Sequence, residues 1–322
     1  MKANGCGSGK VTELITNVSA IRVSDLHKSY GDIRAVDGVS FEVKEGEIFG
    51  LLGPNGAGKT TIIEIMEGYR KLDSGSVSVL GFDPMKDGYE LKEQIGIMLQ
   101  STTLYQELKV HEILKLFASY YRTSVDTNSL LETIGLKERK NAYVKELSGG
   151  QKRKVTFILT LINDPKLMFL DEPTEGLDPQ ARRVVWEIIR ESPKKAKTVF
   201  VTTHYIEEAQ NLCDRVAIID HGKIIALDTP KRLMATLEVE QKIEFVTDSP
   251  IGVDELRKIA DVSKAVQTRE GEFVIYTKKT QTTLKELMIL AEKEDYEFRG
   301  LKVEGATLED LFIKLTGRKI RK

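Results

Sequence analysis

The sequence predicts an α/β fold with a mostly parallel sheet, followed by a smaller α+β domain. Three observations lead to this prediction. From Ile21 to about Ala235, short β-rich runs alternate with amphipathic helical runs, an order typical of parallel sheets covered by helices. The apolar runs end in polar clusters, which is where open α/β sheets place their chemistry. Near Glu240 the alternation starts again on a shorter scale.

Composition excludes several function classes. At 322 residues the chain exceeds the size of one ordinary domain. Its 48 Lys and Arg nearly balance 49 Asp and Glu and are scattered, so no basic field favours nucleic acid and we expect no nucleic-acid partner. Cys6 and Cys213 lack the spacing of a metal site or a disulfide framework, which indicates a reducing compartment, the cytoplasm.

Apolar segments are too short to cross a membrane. A span needs about 18 to 20 apolar residues, whereas runs such as Phe157 to Ile162 fit buried core elements. Residues 1–20 are polar, without the apolar centre of a signal peptide, and we interpret them as a tail.

The main domain, residues 21–235, contains three candidate buried strands, at Glu47 to Leu52, Leu167 to Asp171 and Thr198 to Thr203. Residues 101–161 differ from this pattern, because Val110, Ile113, Leu114 and Phe117 recur at helical spacing. We therefore predict a helical insertion there.

Residues 240–322 form a predicted accessory domain. Its elements are a strand at 241–247, a helix at 253–260, two strands of which the second is 272–278, a helix at 280–294, a strand at 296–303 and a helix from Thr307. This order is close to a split βαβ, ferredoxin-like unit. No titratable cluster in it suggests catalysis, so we expect a role in dimer contact or regulation.

A glycine-rich loop lies between the first buried strand and a helix. Its residues are Gly53, Pro54, Asn55, Gly56, Ala57, Gly58, Lys59 and Thr60. The pattern and its strand-to-helix setting predict a phosphate-binding loop, whose backbone N–H groups and helix N-terminus attract anions. Lys59 is expected to reach the β- and γ-phosphates, and the Thr60 hydroxyl to ligate Mg²⁺.

An acidic pair, Asp171 and Glu172, ends the second buried strand. Asp171 is the candidate Mg²⁺ carboxylate that accompanies a phosphate-binding loop. Glu172 is the candidate general base for the attacking water.

A second anion site is predicted at the start of another helix. Leu147, Ser148, Gly149, Gly150 and Gln151 form the pentapeptide LSGGQ, directly before a helical run. One phosphate chain and two anion sites suggest that two chains share each nucleotide.

Taken together, the loop at Gly53, the LSGGQ pentapeptide and the acidic pair resemble the ABC ATPases over residues 21–235. The resemblance implies a P-loop NTPase of ABC ATPase type with an antiparallel β subdomain, binding ATP and Mg²⁺. It also implies roles for further residues: Tyr30 stacks on adenine, Thr61 joins the phosphate loop, Gln100 senses Mg²⁺ and water, His204 contacts the γ-phosphate, and Asp178 lies beside the partner's site. Many relatives carry a small residue where this chain has Glu175.

The same resemblance implies a head-to-tail dimer of two copies around two ATP, with Ser148, Gly149, Gly150 and Gln151 completing the partner's site. The run from Glu172 to Arg183 and the C-terminal run from Leu308 to Arg318 look like multidrug and sodium-export ATPases. Those pair with a separate ABC-2 type permease. The resemblance thus implies an exporter of drugs, lipids, ions or peptides, located in the cytoplasm on the inner face of the membrane. The basic end, residues 318–322, is either a solvated tail or a contact to anionic lipid.

Three alternatives fit less well. A soluble ABC protein of translation normally carries two phosphate loops, and this chain has one. A repair-type ABC ATPase would insert a long coiled coil between Gln100 and Leu147, where the chain is short. A degenerate, non-hydrolysing subunit would lack some of the catalytic residues, yet all are present.

Overall fold

The computed structural model describes residues 19–100, 103–237, 241–305 and 307–317. Cys6, most of the predicted tail and the basic end lie outside the described residues. The chain divides into two compact units. The first contains the described residues up to Phe49 and those from Thr60 to Thr202, and the second contains Gly50 to Lys59 and the described residues from Thr203 onward. This division differs from the boundary predicted near residues 235–240, which stays a prediction.

The strands and helices follow the predicted alternation. The strands are β1 Ser19–Tyr30, β2 Ile33–Lys44, β3 Ile48–Leu52, β4 Ser74–Val79, β5 Ile95–Met98, β6 Leu167–Asp171, β7 Thr198–Thr203, β8 Arg215–Asp220, β9 Lys223–Asp228, β10 Gln241–Val246, β11 Val262–Arg269, β12 Glu272–Thr277 and β13 Arg299–Glu304. The helices are α1 Lys59–Met66, α2 Gly88–Lys92, α3 Val110–Ala118, α4 Thr127–Thr133, α5 Gly149–Leu159, α6 Pro179–Glu191, α7 Ile206–Leu212, α8 Pro230–Ala235, α9 Val253–Leu256, α10 Thr280–Glu294 and α11 Leu308–Thr316.

Strands β5, β6 and β7 of the first unit pair in parallel. β5 pairs with β6, and β6 pairs with β7, all parallel, so that Leu170 lies between Met98 and Val201. Every residue of β6 and β7 is buried: β6 is apolar up to Asp171, and β7 combines Val and Phe with three buried threonines. Parallel strands share one carboxyl edge, so the residues that follow β5 and β6 meet there.

An antiparallel sheet and the helical insertion complete the first unit. The sheet has the order β2-β1-β4, which confirms the expected antiparallel subdomain. The predicted apolar stripe of the insertion is buried at Val110, Ile113 and Leu114 on α3, which packs against α4 and α5.

In the second unit, β8 and β9 form an antiparallel pair, and a separate sheet has the order β11-β12-β10-β13. All neighbours in that sheet are antiparallel, as in a ferredoxin-like unit, so this prediction is confirmed. Its core includes Ile243, Phe245 and Phe273, with Leu287 from α10. The last helix, α11, packs against α7 and α8.

Two element boundaries in this region differ from the prediction by three or more residues. The helix expected to reach residue 260 ends at Leu256, and the chain continues in turns whose bonds span three residues, such as Lys258 N to Glu255 O. The strand expected from Tyr296 begins at Arg299. Asp295 takes a left-handed conformation that ends α10, and Tyr296 N bonds back to Ala291 O, so Tyr296 belongs to the helix end.

Within the described ranges, no helix combines the length and apolar composition of a membrane span.

Candidate functional site

The phosphate-binding loop closes around its own lysine. Lys59 is 5% exposed, and its Nζ donates to the carbonyls of Gly53 at 2.8 Å and Pro54 at 3.1 Å. Gly56 and Gly58 have φ of 81° and 103°, angles that side chains disfavour. The sequence predicted this loop because its glycines stand where the turn requires them.

Gly53 is also required by close packing. A Cβ there would lie 2.4 Å from the carbonyl oxygen of Ile219, and the Gly53 N–H donates to Thr203 O at 3.2 Å. Backbone contacts within the second unit thus fix the position of Gly53.

Thr60 and Asp171 meet in the first unit. The Thr60 hydroxyl donates to Asp171 Oδ2 at 3.3 Å, and the Thr202 hydroxyl donates to Asp171 Oδ1. Asp171 is 3% exposed, so its carboxylate is desolvated except for such partners. A hydroxyl and a carboxylate are hard oxygen donors, a set that fits Mg²⁺.

Glu172 and Gln100 are also brought together. Gln100 Nε2 donates to Glu172 Oε2 at 3.4 Å and to Glu175 Oε2 at 3.3 Å. Glu172 is 4% exposed and has φ of 48°, held by bonds from its N–H to the backbone and the hydroxyl oxygen of Thr202. Backbone strain of this kind is concentrated at functional sites.

Sequence reasoning missed two residues here. Glu175 was noted only as a departure from the family pattern, and its hydrogen bond with Gln100 has no sequence signal. Arg153 was not singled out, although it follows LSGGQ closely; its guanidinium donates to several backbone carbonyls beside Gln100 and Glu172.

The LSGGQ motif begins α5. Ser148 Oγ accepts from Gln151 N at 3.2 Å, and Gln151 Oε1 accepts from Ser148 N at 3.0 Å, a capping box that fixes the helix N-terminus. A Cβ on Gly149 would meet nothing within 4 Å, and one on Gly150 would lie 3.8 Å from Asp178 Oδ2. Asp178 itself caps α6 through Ala181 N at 2.8 Å. Ser148, Gly149 and Gly150 therefore offer an open helix N-terminus beside Asp178.

Tyr30 and His204 are the remaining predicted contacts. Tyr30 is 40% exposed, with the Arg70 guanidinium 5.2 Å from its ring centroid. An exposed aromatic ring suits base stacking. His204, in the second unit, is buried, with its ring centroid 4.1 Å from that of Tyr205.

Glu67 is a buried acidic residue of the first unit. Burial, followed by the nearby charges of Asp171 and Glu64, raises the pKa of Glu67 to about 8. Neither of its carboxylate oxygens has a hydrogen-bond partner among the described residues. Glu67 is therefore protonated at neutral pH, one residue beyond α1.

The sequence is similar to those of known proteins over most of its length. The ABC transporter family profile matches residues 36–175. The Nod factor export ATP-binding protein I of Rhizobium etli is 36% identical over 95% of this chain and 96% of its own length. The linearmycin resistance ATP-binding protein LnrL of Bacillus subtilis is 35% identical over 94% of this chain and 99% of its own.

Solved structures are similar to about two thirds of the chain. An ATP-binding subunit of an ABC transporter aligns with a TM-score of 0.62 and 28% identity, covering 67% of this chain and 92% of its own. A dimeric ATP-binding cassette bound to ADP and Pi aligns with a TM-score of 0.59 and 26% identity, covering 65% of this chain and 98% of its own.

Proposed function

The chain belongs to the ABC transporter family, as an ATP-hydrolysing, exporter-type ATP-binding subunit, and we propose the following division of work among its residues. The loop from Gly53 to Lys59, with Thr61, binds the phosphates of ATP. Thr60, Asp171 and Gln100 would hold Mg²⁺, which would supply positive charge to neutralise the phosphate oxygens. Tyr30 stacks on the adenine.

Hydrolysis depends on Glu172 as general base. Its carboxylate accepts a proton from the water that attacks the γ-phosphate, while Gln100 orients the carboxylate through its amide. His204 contacts the γ-phosphate, a role taken from the family resemblance.

We propose that two copies bind head to tail, each ATP lying between one copy's Lys59 and the other's Ser148. The supporting feature is the capped, open N-terminus of α5, which is suited to an anion and lies beside Asp178. Binding of ATP closes the dimer, and loss of the γ-phosphate opens it.

The dimer drives a separate membrane partner, which we propose is an ABC-2 type permease at the inner face of the membrane. The similar proteins are named for Nod factor export and for linearmycin resistance, and both names fit export. On this basis the cargo of the present protein is exported, and its chemistry is recognised by the permease. The C-terminal region from residue 240 contributes dimer contact or regulation.

The observation that carries this proposal is the meeting of Thr60 with Asp171 and of Gln100 with Glu172. The test measures Mg²⁺-dependent ATP hydrolysis by the purified chain. The Glu172→Gln variant should lose about 10²-fold to 10⁴-fold in turnover, because the base is removed.

The control is Glu187→Gln, a change at an exposed position of α6, which should keep full turnover. Equal turnover of Glu172→Gln and wild type would show that Glu172 is not the general base. Isolation of the chain from native membranes should yield one integral membrane protein in fixed ratio, and recovery without any such protein would contradict the permease assignment.

A further inference from the structure

Arg153, on α5, connects that helix by hydrogen bonds to two other segments of the first unit. Its guanidinium donates to the carbonyl oxygens of Gln100 at 2.7 Å, Asp171 at 3.3 Å, Pro173 at 3.3 Å and, by a short bond, Glu172. These carbonyls belong to the backbone that follows β5 and to the end of β6 with the turn beyond it. One side chain therefore fixes the backbone on both sides of the hydrogen bond between Gln100 and Glu172.

The chemistry of arginine explains why this contact suits that residue. A guanidinium presents five N–H donors in a rigid planar fork, so it can bond to several carbonyls at once. Bonds from a charged donor are stronger than neutral ones. A lysine ammonium is a compact point charge and cannot span the same carbonyls.

The position of Arg153 on α5 connects this contact to the anion site. Ser148 caps the helix and Arg153 lies just past its first turn, about 6 Å along the axis from Gly149. A capped helix is rigid over that length, so a movement of its N-terminus is transmitted to the Arg153 side chain.

We propose that Arg153 is a positioning residue that couples the two ATP sites of the dimer. ATP bound at the Ser148 end of α5 sets the position of α5. Through its bonds to their backbone carbonyls, Arg153 then shifts Gln100 and Glu172 of the same copy. Those two residues act on the ATP held by that copy's own phosphate loop. This inference rests on the proposed head-to-tail dimer and adds to it a physical link between the sites.

The test compares Arg153→Ala, Arg153→Lys and the control Lys154→Met. Lys154 is the next residue of α5, and its Nζ donates to Ile134 O at 3.3 Å, in the helical insertion. The measurements are turnover, the Hill coefficient for ATP, the affinity for a fluorescent ATP analogue and the thermal midpoint. Guanidinium chloride at low millimolar concentration is added to each variant.

Arg153→Ala should keep the analogue affinity, because the phosphate loop is intact, and should lose about 10-fold to 100-fold in turnover, the scale of a small misplacement of a catalytic group. Its Hill coefficient should fall from above 1 in the wild type to 1. Added guanidinium should restore part of the turnover in this variant only. Arg153→Lys should resemble Arg153→Ala, and Lys154→Met should resemble the wild type.

Other outcomes overturn the inference. One is an unchanged Hill coefficient in both Arg153 variants, and another is a loss of turnover in Lys154→Met equal to that in Arg153→Ala. A third is a wild-type Hill coefficient of 1 with normal turnover. If Arg153→Ala fails to fold, Arg153→Lys decides by the same criteria. A wild type that hydrolyses no ATP would instead contradict the proposed function itself.

Discussion

At the scale of single residues, the site combines hydrogen bonds with a strained backbone. Glu172 has φ of 48° and is buried. Thr202 accepts a hydrogen bond from its backbone N–H, and Gln100 donates one to its carboxylate. Such a conformation costs of order 1–3 kcal/mol, which the surrounding bonds offset. If Glu172 is the general base, as we propose, this arrangement orients its carboxylate before ATP and water bind.

Glu67 gives a pH prediction at this scale. Its folded-state pKa is raised to about 8 from 4.5, so the stability it contributes is complete below pH 4.5 and is lost as pH rises toward 8. Glu67→Gln is always neutral. Its unfolding free energy should therefore exceed that of the wild type by an amount that grows between pH 5 and 8, at most about 1.4 kcal/mol per pH unit.

Urea denaturation of both proteins at several pH values measures this difference. Glu90→Gln, the same change at an exposed position of α2, is the matched control. A constant difference between Glu67→Gln and wild type from pH 5 to 9 would contradict the prediction.

The acidic pair and the glycine-rich loop were predicted from the sequence, but the hydrogen bonds of Arg153 and Glu175 around them were not. Asp171 and Lys59 carry a motif with fixed spacing, and their roles follow from residue type. The bonds of Arg153 and Glu175 depend on the approach of segments distant in sequence, which no local pattern encodes. Whether Tyr30 and His204 contact nucleotide stays a prediction.

At the scale of elements, strand β5 lies unusually close to the chain that follows α5. A Cβ on Gly96 would lie 2.0 Å from the carbonyl oxygen of Thr160, and Asn163 Nδ2 donates to Ile95 O at 2.9 Å. The backbone of β5 is therefore packed directly against the end of the helix that starts with LSGGQ. Gly96 is required by this contact and not by its backbone angles.

Gly96→Ala should destabilise the protein by about 1–3 kcal/mol, the cost of overpacking against a backbone that cannot move aside. Equilibrium denaturation in urea measures this loss. Gly88→Ala is the matched control, because Gly88 starts α2 and a Cβ there meets nothing within 4 Å. Equal stability of both variants and the wild type would show that the contact at Gly96 relaxes without cost.

Element type was more predictable than element ends. Strands β6 and β7 have the predicted bounds, because β6 is an apolar run ending at Asp171 and β7 is rich in β-branched Val and Thr. The ends of α9 and β13 were wrong because they depend on turns and on the left-handed Asp295, which hydrophobic spacing does not indicate.

At the scale of the whole molecule, the chain carries two predicted anion sites at different places in its sequence, which we propose complete each other's nucleotide site in a dimer. The loop at Lys59 and the helix start at Ser148 are both built to attract phosphate. The spacing of these motifs identified the family from sequence alone. The residues that select the cargo are expected in the permease and not in this chain, so the permease and the export of its cargo stay proposals.

The shared-nucleotide dimer is tested most directly by measuring mass in solution with and without Mg²⁺ and ATP. Sedimentation of Glu172→Gln should give the monomer mass without nucleotide and twice that mass with it, because binding groups remain while hydrolysis stops. Lys59→Ala, which loses the phosphate contact, should stay monomeric. A Glu172→Gln variant that binds ATP tightly and still sediments as a monomer would contradict the account.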